Sequence, residues 1–240
     1  ASDVYKRQVT AAPGYPELAV KNLAELTGID FKNSEDLIAA TSDCGAYMTL
    51  SSAIKGLAVK MTKVCNDIRL LASGPRCGLK EINLPQLQPG SSIMPGKVNP
   101  VAAEVANQAS FLAIGLDTTV MLAASAGQLE LNVMEPVITF ALYTQMKVMT
   151  NACDTLRTKL VEGVTANTER CKDYVMNSIG IVTLLKPHFG YQKCAAIAKE
   201  GYTTGKSLHQ IVVDEQHLMT QAEWDATFNT QNLIHPKFVK

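Results

Sequence analysis

The sequence predicts an all-α protein: a bundle of long helices over residues 1–164, followed by a small, separate helical domain over 165–240. Three observations carry this. Leu50, Ile54, Leu57, Met61, Val64, Ile68 and Leu71 recur at alternating intervals of four and three, the spacing of a continuous apolar seam on one helix. Between Val98 and Met146 there is no Lys or Arg, and the only acids are Glu104, Asp117, Glu130 and Glu135. After Gly163 the helical stretches shorten, interrupted by Pro187, Gly190, Gly201 and Gly205.

Taken in order, the first long helix carries Lys55, Lys60, Lys63, Asp67 and Arg69 off its seam. It is expected to stop at Ser73-Gly74-Pro75, with glycine as a left-handed C-cap and a proline that cannot continue the helix. Residues 74–98 form a loop with glycines at 74, 78, 90 and 96 and prolines at 75, 85, 89 and 95. A connection of that length is either functional or disordered. Asn99 as N-cap and Pro100 in the first turn predict the next helix, running to about Ala126. Another is expected from Leu131 to about Glu162, bent near Pro136 and roughly 45 Å long.

A surface helix needs a charged face, and the two helices of the charge-poor stretch nearly lack one. They must be covered, and other subunits are the expected cover. A membrane span is disfavoured, because Asp117 and two threonines interrupt the most apolar run, Phe111 to Ala126.

Composition limits the function classes. Lys+Arg and Asp+Glu are equal at 22 each, and hydrophobic residues make up 47% of the chain against 18% charged. Such a balance leaves no electrostatic footprint for nucleic acid or an anionic membrane. The six cysteines, at 44, 65, 77, 153, 171 and 194, are scattered without a C-x-x-C pair. Reduced, mostly buried thiols in a cytoplasmic protein fit this better than disulfides or zinc. The four histidines, 188, 209, 217 and 235, lie at no ligand spacing and are assigned no chemistry. Asn107 and Gln108 read as interhelical hydrogen-bonding residues, and Met48, Met61, Met94 and Met121 as packing residues.

The chemistry is concentrated in Gly90 to Asn99, which reads G-S-S-I-M-P-G-K-V-N. Ser91 and Ser92 offer hydroxyls on a glycine-flanked turn, Lys97 a positive charge, and Asn99-Pro100 a helix start whose unpaired N–H groups favour an anion. Together they could hold a carboxylate. By residue type alone, the segment reads equally as a solvated loop before a capped helix.

The ten residues resemble the signature of the aspartase/fumarase superfamily. So do Ala40 to Ala46, Asn66-Asp67, Leu71 to Arg76, Glu81 to Pro85, and Asn99 to Val101 with Glu104. The resemblance runs from about Val9 to the C-terminus. Gly127 to Pro136, Thr150 to Cys153, Val164 to Asn167, Asn177 to Thr183 and Gln231 to Pro236 are similar to the aspartase branch. The resemblance implies a long-helix bundle of the fumarase/aspartase central domain and a lyase that reversibly converts L-aspartate to fumarate and ammonia. A fumarase and an inactive helical scaffold, like the lens crystallins derived from the superfamily, are the alternatives.

It further implies that Ser91 is the general base, giving an aci-carboxylate intermediate before ammonia leaves. Ser92 would help bind the β-carboxylate, while Lys97 and Asn99 bind the α-carboxylate. Glu104 would pair with a histidine elsewhere in the family's site, and Gly90 and Gly96 would act as hinges of a closing loop. The partners implied are a small dicarboxylate and the other subunits of a homotetramer, in which each active site is built from three subunits. No organic cofactor or metal ligand is implied, and divalent-metal activation is not readable. Two other family loops are missing from these residues, and residues 1–8 resemble nothing in the family. The chain is therefore expected to start within the central domain and to be inactive alone.

Overall fold

The computed structural model describes residues 11–234; residues 1–8 and His235 lie outside that range. The chain divides into two compact units, Ala1–Thr165 and Ala166–Lys240.

Unit 1 begins with helices α1 (Tyr15–Thr27) and α2 (Leu37–Ser42). Three long helices follow: α3 (Gly45–Leu71), α4 (Val101–Ser125) and α5 (Glu135–Lys159). Hydrogen bonds from Ser51 to Asp117 and from Asn107 to Asn66 set α3 and α4 antiparallel, and Gln145 to Ala113 ties α5 to α4. The surface α4 presents to both neighbours is built of small residues, with Ala102, Ala103, Ala106, Ser110, Ala113 and Ala123 buried. Small side chains let helix axes approach closely.

The apolar seam of α3 is displaced by one residue from expectation. The buried positions are Ser51, Ala58 and Cys65, spaced by seven, together with Met61. Ile54 and Ile68 also pack on this core. Leu50, Leu57 and Val64, three of the seven predicted seam residues, are exposed. Thus Ile54, Met61 and Ile68 sit between two faces: one packed on α4 and α5, the other open and apolar. Size alone pointed to the open face, whereas close helix packing selected the small residues.

The outer faces of α4 and α5 are open as well. Phe111, Phe140 and Tyr143 are 54%, 66% and 68% exposed. By length and composition α4 could cross a membrane. Its neighbours, however, carry Lys55, Lys60, Lys63 and Lys147 along their middle turns, so the bundle has no continuous apolar band.

Other details differ from the sequence reading. Pro136 lies in the first turn of α5, where a missing N–H costs nothing, so it starts the helix rather than bending it. Helix α5 is accordingly shorter, 25 residues or about 37 Å. Helix α3 ends at Ala72 in right-handed geometry, and Gly74 has φ 139° outside the left-handed helical well, so it is not the C-cap. Only three of the six cysteines are buried, namely Cys44, Cys65 and Cys194; burial raises all three thiol pKa values above the ordinary cysteine range. Of the methionines expected to pack, Met61 does, while Met48, Met94 and Met121 are exposed. Asn107 does bond across helices, but Gln108 is exposed.

A polar network crosses the three long helices. Ser51 Oγ donates to Asp117 Oδ1 at 2.8 Å, Lys55 pairs with Asp117 Oδ2, and Gln145 Nε2 donates to Ser51 Oγ at 3.1 Å. Burial opposes ionisation of Asp117, but the Lys55 ammonium and the hydroxyls of Ser51 and Ser52 outweigh it and hold the carboxyl below its ordinary range.

Unit 2 contains α6 (Thr168–Met176), α7 (Lys186–Thr204, interrupted at Gly190), α8 (Gln221–Thr227) and α9 (Thr230–Ile234). Short stretches of other helical types lie at Ile179–Leu185 and Gln210–Glu215. Its own core gathers Ile181, Leu185, Ile197, Ile211, Trp224 and Phe228. Trp224 stacks on Phe228 at 4.0 Å, and a capping box between Thr220 and Glu223 starts α8. The histidines here make local contacts: His209 Nε2 meets Gln221 Oε1, and His217 Nδ1 donates to the Val213 carbonyl.

Candidate active site

The loop between α3 and α4 is ordered by its own backbone. After α3, the amides of Lys80 and Glu81 donate to the carbonyls of Ser73 and Leu71, at 2.8 and 2.9 Å. This folds residues 79–81 back onto the helix end, before a two-residue strand at Ile82–Asn83.

Residues 90–99 close on themselves. Gly90 N donates to the Lys97 carbonyl at 3.0 Å, and Asn99 Nδ2 donates to the Gly90 carbonyl at 2.8 Å. Both bonds fasten the neck of the loop. A Cβ on Gly90 would stand 2.3 Å from the Lys97 carbonyl oxygen, so glycine is required there by close approach. Gly90, expected as a loop hinge, therefore sits at a hydrogen-bonded neck in this conformation. Gly96 has φ 78° with open space around its Cβ position, a conformation that glycine adopts without strain. Gly90→Ala should part the neck, seen as faster proteolytic cleavage within residues 90–97, with a stability loss of about 1–3 kcal/mol; unchanged cleavage would contradict the clamp.

Within the closed loop, Ser91 Oγ accepts hydrogen bonds from the amides of Ile93 (3.1 Å) and Met94 (3.2 Å). Two N–H donors aimed at one hydroxyl oxygen stabilise negative charge there, leaving the hydroxyl proton free to be given up. Ser91 is half-buried and Ser92 is exposed.

The expectation that Asn99 caps α4 is not met. Pro100 occupies the cap position without a side-chain bond, because the Asn99 amide is used to hold Gly90. At the helix start the Val101 amide donates to the Asn99 carbonyl at 2.9 Å. Glu104 is half-buried in that first turn.

Beside the loop lies a cleft of about 770 Å³ lined by Arg69, Lys80, Asn83, Gly96, Lys97 and Asn99 among others. The structure thus places Lys97, Asn99 and Gly96 on one cleft, while Ser91, Ser92 and Glu104 are not in its lining. Arg69 and Lys80 were missed as site residues. Arg69 looked like one more charge off the helical seam, and only the fold-back of 79–81 brings Lys80 to the end of α3.

The long-helix bundle and its serine-bearing loop are similar in sequence and fold to known lyases. Residues 5–115 match the family model described as Lyase, and residues 181–235 match that of the Fumarase C C-terminus. Together these two matches make the chain similar to lyases of the fumarase kind in both of its units. Its curated relatives include the aspartate ammonia-lyase of Escherichia coli K12, 57% identical over 93% of this chain and 47% of that protein. That of Helicobacter pylori 26695 is 51% identical over 97% of this chain and 49% of the relative. The chain spans about half the length of the curated relatives it matches. Among solved structures, a fumarate lyase/delta crystallin of Brucella melitensis superposes with TM-score 0.87 at 40% identity, over 92% of this chain and 48% of the other. A class II fumarase of Schistosoma mansoni gives 0.86 at 32%, over 94% and 50%.

Proposed function

We propose that the whole protein is an aspartate ammonia-lyase, removing ammonia from L-aspartate by anti elimination to give fumarate. The observation that carries this reading is the Ser91 hydroxyl, held by two backbone amides on a loop closed at its neck. A serine is a feeble base in water. It serves as one only where donors stabilise its alkoxide, and one such donor is worth about 3–4 kcal/mol in other enzymes. In this reading Ser91, as its alkoxide, takes the proton from the carbon beside the β-carboxylate and becomes the neutral hydroxyl. That carboxylate, helped by Ser92, absorbs the charge as an aci-carboxylate, so no organic cofactor is needed. Lys97 and Asn99 hold the α-carboxylate, and Glu104 orients a partner group from elsewhere in the assembly. The loop 90–97 would then close as a body, with Gly96 supplying local freedom.

The assembly proposed is a cytoplasmic homotetramer whose subunits share each active site. The apolar outer faces of α3, α4 and α5, with Leu57, Phe111, Phe140 and Tyr143 exposed, support this. The likeness to a class II fumarase keeps malate as the competing substrate. The test is to follow fumarate absorbance in the full-length gene product, with L-aspartate and then with malate. Fumarate is expected from aspartate; formation from malate alone would replace this reading with a fumarase.

A further inference from the structure

We infer that Arg69 and Lys80 set the ligand charge that the cleft prefers, making it bind dianionic dicarboxylates more tightly than an amino dicarboxylate. The chain as a whole is neutral by formal charge. Yet its fold brings three cations from separate places, the last turn of α3 (Arg69), the fold-back (Lys80) and the loop (Lys97), onto one cleft. Among the described residues, no acidic side chain lines that cleft. Cations gathered in a concavity focus a field that favours an entering anion.

Lys80 is held in place at a cost. Its backbone has φ 52°, a left-handed conformation rare for a long side chain and characteristic of strained functional positions. The amides of Lys80 and Glu81, bonded to Ser73 and Leu71, fix that conformation. The backbone bends to put a lysine where a residue with less conformational penalty could stand.

The inference rests on the proposed reading that this cleft takes a dicarboxylate, and it deepens it. Fumarate carries two negative charges; aspartate carries two carboxylates and an ammonium, a net charge of minus one. Interaction with a nearby cation scales with net charge, so removing one cation should weaken fumarate about fivefold and aspartate only about twofold.

The experiment measures dissociation constants of fumarate and L-aspartate for the full-length protein and its Arg69→Gln and Lys80→Asn variants. Asparagine is chosen because it tolerates the left-handed conformation. Arg69→Lys should keep the wild-type preference. Raising salt should narrow the fumarate-to-aspartate affinity ratio of the wild type, which tests the inference even if a variant does not fold. Equal changes for both ligands, no change for either, or a salt-independent ratio would overturn it. A protein that binds in this charge-dependent way but makes no fumarate from aspartate upholds the inference and rejects the proposed reaction. One that turns over aspartate with charge-blind binding does the reverse.

Discussion

Replacing Ser91 with alanine should lower kcat for aspartate deamination in the full-length protein by about 10³-fold, while KM changes by no more than a few fold. The asymmetry follows from what the hydroxyl does. In the ground state Ser91 Oγ spends its acceptor capacity on the amides of Ile93 and Met94, inside its own loop. Deleting it removes little binding to the substrate. In the proposed reaction it receives a proton from carbon in the transition state, and no other group on the loop is cradled by two amides in this way. Stopped-flow or steady-state absorbance at the fumarate band would measure the loss. A variant with near-normal kcat would remove Ser91 as the base, and a pure KM effect would reassign it to binding. Alanine also frees the two amides, so loop order should be compared between the proteins by proteolysis.

The second large effect concerns stability. Asp117→Asn should cost about 2 kcal/mol, read as a lower urea midpoint. The asparagine keeps the shape but leaves Lys55 facing a neutral amide, and the Ser51 hydroxyl loses a charged acceptor. Lys55 is 41% exposed and can turn towards water, which keeps the loss below that of a fully buried broken pair. The pH dependence gives a separate signature. The folded carboxyl of Asp117 titrates below its ordinary range. Its contribution is therefore complete above the unfolded carboxyl pKa, near about 4, and fades as pH falls through the lower folded value. Wild-type protein should lose this increment below about pH 4, and the asparagine variant should lack that part of the acid limb. Identical acid limbs would show that the pair contributes nothing.

How much of this was legible beforehand differs from element to element. The long helices were visible because burial repeats with the helical period, and the loop was visible because four glycines and four prolines punctuate it. The inward face of α3 was not. Leu50, Leu57 and Val64 outweigh Ser51, Ala58 and Cys65 on any hydrophobicity count, yet the small residues are the buried ones. A pattern of apolar residues says that a helix has an apolar face, but a helix with two such faces hides which one its own chain will cover. Asn99 failed in a related way: Asn before Pro reads locally as a cap, while a competing acceptor nine residues back, the Gly90 carbonyl, claims its amide.

By itself the sequence determined the helical class, the position of the serine loop and the residue types for carboxylate chemistry, because all of these depend on neighbours along the chain. Only the tertiary structure decided that Gly90 is a clamp, that Asn99 fastens it, and that Arg69, Lys80 and Lys97 share a cleft. Those arrangements depend on groups separated along the chain and brought together by backbone bonds. Local patterns carry no record of such distances.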